Sequence, residues 1–391
     1  MFTRWGYREV RTPTFEFLET ISTGIGSELS DKMFKFQDQD GNIVALRAEL
    51  TTPIARLAAT KLVDAIEPIR LFYVANVFRY ATARFENLRE FWQAGVESIG
   101  SAKPEADAEV IALLIEALSA VGLKDVRLFL NHSQILRKLL QNNLVREDRV
   151  SRIRELIGSR DSRQLATFLE ESDVESEASR TISGLLKCST PDDAHRIEPA
   201  LKQLGCREEI ANLLQVITVL KDYGVEKNIF LDFSLTRSIE YYTGLMFEAA
   251  VPSLGKPVAG GGRYDTLLEK FGGARSPATG FAIEIDKCIE ALEVQGNPPT
   301  ADGPRLLVLG KGRLTVRALN LIRKNGIPAI SYWGMIGPEK ALDYARLQGC
   351  THVIFPDRRG TKVTTIDAVS RRKLRGDLTV ILKKIRVVRP R

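Results

Sequence analysis

Two short runs carry the residue types most able to do chemistry: Tyr241-Tyr242-Thr243-Gly244-Leu245-Met246-Phe247-Glu248 and, soon after, Gly260-Gly261-Gly262-Arg263-Tyr264-Asp265. Together with Arg237 just upstream and Glu49, Gln93 and Glu97 far upstream, they look like a pocket for a small zwitterion. Taken singly, each has an ordinary reading. A lone Glu or Gln on a strand is usually a solvated surface residue. A tyrosine pair usually packs in a core with one hydroxyl satisfied. A glycine run is usually a turn, and Arg263 or Asp265 beside it can be a structural ion pair. The functional reading rests on the coincidence of independent pieces.

The chain around these residues has 391 positions, 44% of them hydrophobic, which is enough for a large core and more than one domain. Charged residues make up 27%, so disorder is a poor reading. The formal net charge of +7 permits an anionic partner without requiring one. The four cysteines (Cys188, Cys206, Cys288, Cys350) are widely spaced, with no CxxC and no Cys/His cluster, which argues against a zinc site or a disulfide framework and fits a reducing cytoplasm. No apolar run reaches the ~18 residues of a spanning helix, and the N-terminus lacks a signal-peptide pattern.

Elements that must position the pocket can be read along the chain. Phe2 to Tyr7 reads as the end of a helix turning into a strand, Arg8 to Thr12, stopped by Pro13. A domain starting in mid-element implies a true start upstream or a lost helix. Met33 to Phe36, the turn Asp38 to Asn42, and Ile43 to Arg47 predict a β-hairpin. A helix follows from about Pro53, then strands over Ile69–Tyr80 and Glu90–Gly100 and a helix over 105–121. Residues 133–225 are helical and polar-faced, an expected insertion. Ile229–Phe233 and Leu245–Val251 return to strand character, and 278–292 predict a closing strand and helix. The Pro- and Gly-rich stretch at 296–304 is a linker. Beyond it, strand, helix, strand, helix, strand over Arg305 to Phe355 is the signature of a small α/β domain. The interleaved Leu378, Val380, Ile381 and Leu382 predict a buried strand inside an otherwise basic tail.

In this order, Arg47-Ala48-Glu49-Leu50-Thr51-Thr52-Pro53, Phe78-Arg79-Tyr80, Arg89 to Glu97 and Arg237 to Gly244 resemble the class II histidyl-tRNA synthetase superfamily. That group includes the synthetases and a paralogue, the regulatory subunit of ATP phosphoribosyltransferase, the first enzyme of histidine biosynthesis. The resemblance covers roughly 1–292 for a catalytic-type core and 305–375 for an anticodon-binding-like domain. It implies a histidine site in which Glu49, Thr51 and Gln93 take the ammonium, Arg237 takes the carboxylate, and Glu97 and Tyr242 grip the imidazole, with Tyr241 alongside. Physical chemistry agrees with those roles. Arginine offers a planar, bidentate donor, and an imidazole wants one acceptor and one donor. On a strand, Gln93 and Glu97 share a face, so one strand can touch both ends of the ligand. The glycine run lets backbone approach that ligand closely.

Amino-acid activation also needs a cationic cradle for ATP, and there the sequence departs from the synthetases. Arg79 matches one expected arginine. The loop after it, Ala81 to Asn87, lacks the usual glutamate, proline and glycine, and Glu86 adds a negative charge. Lys287 stands where the family's second arginine is expected, and Glu284 where a glycine is common. Lysine lacks the planar fork, so the exchange is not conservative at a phosphate site. Losing one preorganised donor typically costs roughly 2.7–4 kcal/mol of transition-state stabilisation. Arg79 and Lys287 are therefore read as a vestigial nucleotide site, with no catalytic residue, metal or cofactor expected.

The resemblance thus implies a non-catalytic, cytoplasmic regulatory subunit that binds free histidine and docks with the catalytic subunit of ATP phosphoribosyltransferase. The strand near Glu9 to Pro13 matches the family's dimer-forming motif, which implies a homodimer within a hetero-oligomer. The alternative is a functional histidine–tRNA ligase, kept open by the C-terminal domain and by the basic clusters Arg371 to Arg375 and Lys383 to Arg391, which could contact tRNA. A third reading is a paralogue recruited to another RNA-binding or modification task. The expected fold is α+β: a class II synthetase-like mixed, mainly antiparallel sheet with flanking helices over 1–295, a helical insertion at about 133–225, and an α/β domain over 305–391.

Overall fold

Two adjoining ten-residue strands organise the first part of the chain: β5 (Ile69–Phe78) and β6 (Glu90–Ile99), paired antiparallel along their whole length. The structure, a computed structural model, describes residues 1–80, 88–142, 147–172, 174–235, 241–298, 304–334, 336–357 and 362–387. The chain divides into two compact units, Met1–Pro298 and Pro299–Arg391.

Before β5 come β1 (Arg8–Glu9) and a small sheet of β2 (Phe15–Phe17), β3 (Lys35–Gln37) and β4 (Ile43–Leu46). After β6 come β7 (Arg127–His132), β8 (Ile229–Leu231), β9 (Leu245–Ala250), β10 (Pro257–Arg263) and β11 (Ala278–Glu284). Among the described residues, the main sheet has eight strands in the order β1-β5-β6-β11-β10-β9-β7-β8. Only its outermost pairs, β1 with β5 and β7 with β8, are parallel. This is the mixed, mainly antiparallel sheet expected from the sequence.

The sheet has two unlike faces. On one, Val96, Phe281, Phe247 and Leu130 join a continuous apolar core with the helices Pro104–Ala120 and Arg207–Asp222. The first of these helices begins with proline and places Glu105 and Asp107 in its first turn, a start that suits both the missing N–H and the helix dipole. A parallel crossover joins β7 to β8, and helices from Ser133 to Asp222 fill it. Their apolar residues, such as Ile135, Leu165, Ile182 and Leu213, belong to that same core. The opposite face carries Gln93, Gly95 and Glu97, and it is here that polar side chains gather.

The second unit has a sheet of β12 (Leu306–Leu309), β13 (Ala329–Tyr332), β14 (His352–Pro356), β15 (Lys362–Asp367) and β16 (Lys373–Asp377), ordered β13-β12-β14-β15-β16. The first three strands are parallel and the last two antiparallel. One correction falls here. Leu378, Val380, Ile381 and Leu382 do not form a strand; Leu378–Val387 is a helix. Leu378, Ile381, Leu382 and Ile385 recur at helical spacing and are buried on the sheet, whereas Val380 is 51% exposed. A strand would have put Val380 on the same face as Leu378 and Leu382. Asp377 starts the helix by accepting the Thr379 N–H at 2.8 Å.

Candidate functional site

The site is built from strands that lack side chains where others need room. On β6, Gln93, Gly95 and Glu97 lie on one face, and β11 sets Gly280 beside Glu97 and Glu284 beside Gln93. A Cβ at position 280 would lie 1.9 Å from Glu97 Oε2, so glycine there is what lets the carboxylate stand on the sheet. Similarly, a Cβ at 262 would lie 2.8 Å from the Tyr242 ring. The glycine run is the interior of β10, a buried strand rather than a turn.

From the small sheet, Arg47 ties the approach to the site. Its guanidinium donates to the carbonyls of Asn76 (2.8 Å) and Thr12 (2.9 Å) and to Asn76 Oδ1 (2.8 Å). The chain then turns into the helix Thr51–Lys61 through Glu49. The Glu49 carboxylate accepts the N–H groups of Thr51 at 2.7 Å and Thr52 at 2.9 Å, covering two orphan donors of that helix start.

These elements enclose a cavity of about 120 Å³, room for a polyatomic ligand where roughly 10–15 Å³ would suffice for one water. Glu49, Thr51, Gln93, Tyr241 and Tyr242 line it, as do Arg79 and Lys287. Arg237 and the loop residues Arg84 and Glu86 lie outside the described residues. Glu97 is in place but not on the wall. It is only 1% exposed, and its Oε1 accepts the Thr51 hydroxyl at 2.7 Å while Oε2 accepts the Tyr264 hydroxyl. Among the wall residues given no role from the sequence are two tyrosines, Tyr73 and Tyr264. Tyr264 sat inside the Gly260–Asp265 run and could have been found there. Tyr73 carried no signal beyond its place on a strand.

The electrostatics of this end favour a cation. Burial raises the Glu49 carboxyl above its usual value, against hydrogen bonds from Thr52 and Thr51 that pull it down. Burial pushes Glu97 up to about 8, opposed by the Tyr264 and Thr51 hydroxyls and reinforced by Glu49. Tyr73, Tyr241 and Tyr264 are raised well above the ordinary phenol value, chiefly by burial. Two desolvated acids and neutral phenols gain from a positive ligand that restores their lost solvation. Gln93 Oε1 is buried without a hydrogen-bond partner among the described residues, an acceptor waiting for a donor.

Behind the wall, Arg263 behaves as the structural residue its ordinary reading foresaw. Its Nε and Nη2 donate to Asp107 Oδ2 at 3.0 and 2.9 Å, and its Nη1 to Asp265 Oδ1 at 3.1 Å. The same segment holds the turn after Tyr242. The Arg263 carbonyl accepts the Thr243 N–H at 2.8 Å, and the Asp265 N–H reaches Thr243 Oγ1 at 2.9 Å.

The other end of the cavity, which adjoins the first where Glu284 stands beside Gln93, is different. Lys287 Nζ is 2.7 Å from Glu284, three residues back at the start of the same helix. Arg79 donates through Nε to the Ala48 carbonyl at 2.8 Å and lies over the Phe91 ring at 5.1 Å. Among the described residues, no cluster of His, Cys, Asp and Glu could hold a metal ion, and no helix is long and apolar enough to cross a membrane.

Comparison with known proteins agrees with this geometry. A family model described as Histidyl-tRNA synthetase matches residues 1–288. An ATP phosphoribosyltransferase regulatory subunit from Desulforamulus reducens is 37% identical, the match covering 91% of this chain and 89% of that protein. A histidine–tRNA ligase from Pyrococcus abyssi is 34% identical, covering 99% and 92%. The crystal structure of an ATP phosphoribosyltransferase regulatory subunit/histidyl-tRNA synthetase from Bacillus halodurans superposes with a TM-score of 0.75 at 30% identity, covering 90% of each chain.

Proposed function

The chain belongs to the histidyl-tRNA synthetase family, and within it we propose that it is a histidine-binding regulatory subunit of ATP phosphoribosyltransferase with no ligase chemistry of its own. The observation that carries this reading is the Lys287–Glu284 pair on the cavity wall. A triphosphate needs unneutralised cations aimed at it; here the lysine that replaces the expected arginine is already matched by a carboxylate. The opposite end keeps the buried acids and amide that an amino acid requires.

In this reading Glu49, Thr51 and Gln93 hold the ammonium of free histidine, and Arg237 holds its carboxylate. Tyr241 and Tyr242 flank the imidazole, and Glu97 answers it through the Thr51 and Tyr264 hydroxyls or by turning to it directly. Arg79 and Lys287 are remnants of a nucleotide site. The protein acts in the cytoplasm, as a homodimer docked to the catalytic phosphoribosyltransferase subunit, and histidine occupancy feeds back on that partner. The unit beyond Pro298 is an anticodon-binding-like domain retained from the shared ancestor.

One observation favours a second reading, a working histidine–tRNA ligase: named ligases match nearly the full length of the chain at a similar identity. Two assays separate them. Calorimetry with free histidine is expected to show saturable binding, and histidine-dependent pyrophosphate exchange is expected to be absent. Robust exchange would replace the regulatory reading with the ligase one. Co-purification with a short phosphoribosyltransferase, with activity measured with and without histidine, tests the partner.

A further inference from the structure

The cavity leaves a second buried oxygen unpartnered among the described residues besides Gln93 Oε1: the hydroxyl of Tyr73. The Tyr73 ring packs with Leu50, Ile54, Leu71 and Val77, and the residue is 1% exposed, yet it lines the cavity. Its register partner is Gly95, between Gln93 and Glu97 on the same face of β6. A Cβ on residue 95 would lie 2.4 Å from the Tyr73 hydroxyl and 2.5 Å from Cζ. The phenol therefore occupies the place a side chain at 95 would take. It makes Gln93, Tyr73 and Glu97 a row of three polar groups where the sequence of β6 alone supplies two. A tyrosine needed only for packing would have its hydroxyl bonded or be replaced by phenylalanine, since an unmet buried hydroxyl is costly.

We propose that Tyr73 is a ligand-contacting residue, its hydroxyl oxygen accepting one N–H of the ligand's ammonium beside Gln93 Oε1. The inference rests on the amino-acid-binding reading above and extends it to a residue that reading did not include. An ammonium brings three N–H donors; the Gln93 amide oxygen and the Glu49 carboxylate take two, and the phenol oxygen takes the one assigned above to Thr51, whose hydroxyl is already committed to Glu97 at 2.7 Å. Burial and the nearby Glu97 and Glu49 keep the phenol neutral, so it offers a lone pair without adding a charge.

The test is Tyr73→Phe in the full chain, titrated calorimetrically with histidine and with its des-amino analogue, imidazolepropionate. Hydrogen bonds to charged groups predict a loss of about 10- to 100-fold in histidine affinity. The analogue should bind wild type and variant equally. The thermal midpoint of the ligand-free variant should match or exceed that of wild type, because a hydroxyl with no partner is removed; a merely structural hydroxyl would lower it. Equal histidine affinity in the variant, or an equal loss for both ligands, would overturn the Tyr73 assignment and leave the histidine reading standing. Absence of histidine binding to wild type would overturn both.

Discussion

The two ends of the cavity wall, which meet where Glu284 is the register partner of Gln93, handle polar groups in opposite ways. At the Glu49–Gln93 end, carboxylates and amides are buried with capacity left over: Glu97 is pushed up to about 8 by burial, and Gln93 Oε1 lacks a partner among the described residues. At the Glu284–Lys287 end, opposite charges neutralise each other at 2.7 Å and stay partly in solvent. Buried capacity that the fold does not satisfy is a standing cost, and a ligand is the usual reason for a fold to carry it. A self-satisfied pair, partly in solvent, carries no such cost and asks for no ligand. On the proposed reading, the difference separates a site kept for an amino acid from one that has stopped serving a nucleotide.

The largest expected break in this comparison comes from Glu49→Ala. The carboxylate covers two amide donors of the helix start and faces the cavity. Removing it leaves buried N–H groups unmet, a loss of about 1–3 kcal/mol in stability, and histidine affinity should fall more than about 100-fold. Chemical denaturation and calorimetry read the two effects separately. Unchanged affinity would detach Glu49 from the ligand and leave it a helix cap alone.

Next in size is Gly280→Ala. The added methyl would stand 1.9 Å from Glu97 Oε2 and 2.4 Å from the Val96 carbonyl, so the carboxylate must move. Overpacking of this kind costs typically about 1–3 kcal/mol. Because Glu97 anchors both Thr51 and Tyr264, affinity for histidine should drop with stability. A stable variant with full affinity would mean that the position of Glu97 does not govern the wall.

The acids also set a pH signature. A carboxyl raised above its unfolded value keeps its proton in the folded state after the unfolded chain has lost it. Stability is then full below the ordinary carboxylate range and falls as pH rises towards about 8, the value set by burial of Glu97. Ligand-free wild type should therefore lose more stability between pH 5 and 8 than Glu97→Gln does. Glu49, raised in the same direction, remains in the variant, so the slope is reduced and not abolished. Parallel midpoints across that range would show that Glu97 is ionised throughout.

How much of this was legible in the sequence depended on whether a signal was local. β5, β6 and the helix Pro104–Ala120 are long and rich in strand or helix formers, and their periodicity announced them. β10 was hidden, because glycines have no side chains to alternate and read as a turn. Leu378 to Leu382 read as a strand because a short apolar run fits both periods until Ile385 and exposed Val380 decide. Within the site, Glu49, Thr51, Gln93, Tyr241 and Tyr242 were singled out through motif order, and all five line the same cavity. Tyr73 was not singled out, because its place at the cavity comes from an absent side chain across the sheet at Gly95, a relation that only register reveals.

The smallest effect belongs to the nucleotide end, and it sharpens the comparison most. Glu284 and Lys287 sit three apart at a helix start, where such pairs contribute about 0.2–0.5 kcal/mol. Glu284→Gln removes the neutralising charge and leaves Lys287 free to meet phosphate. ATP affinity should rise by less than about tenfold, and pyrophosphate exchange should stay absent, because lysine supplies a point charge without arginine's fork. Lys287→Ala should leave histidine affinity within about twofold of wild type, since changes away from buried, satisfied features seldom exceed about 0.5 kcal/mol. If Glu284→Gln restored exchange, a single carboxylate would be what silences the site, and the nucleotide end would be held shut by one charge instead of having decayed. If Lys287→Ala weakened histidine binding tenfold, the two ends would be coupled through the cavity, and the division drawn between them would have to be abandoned.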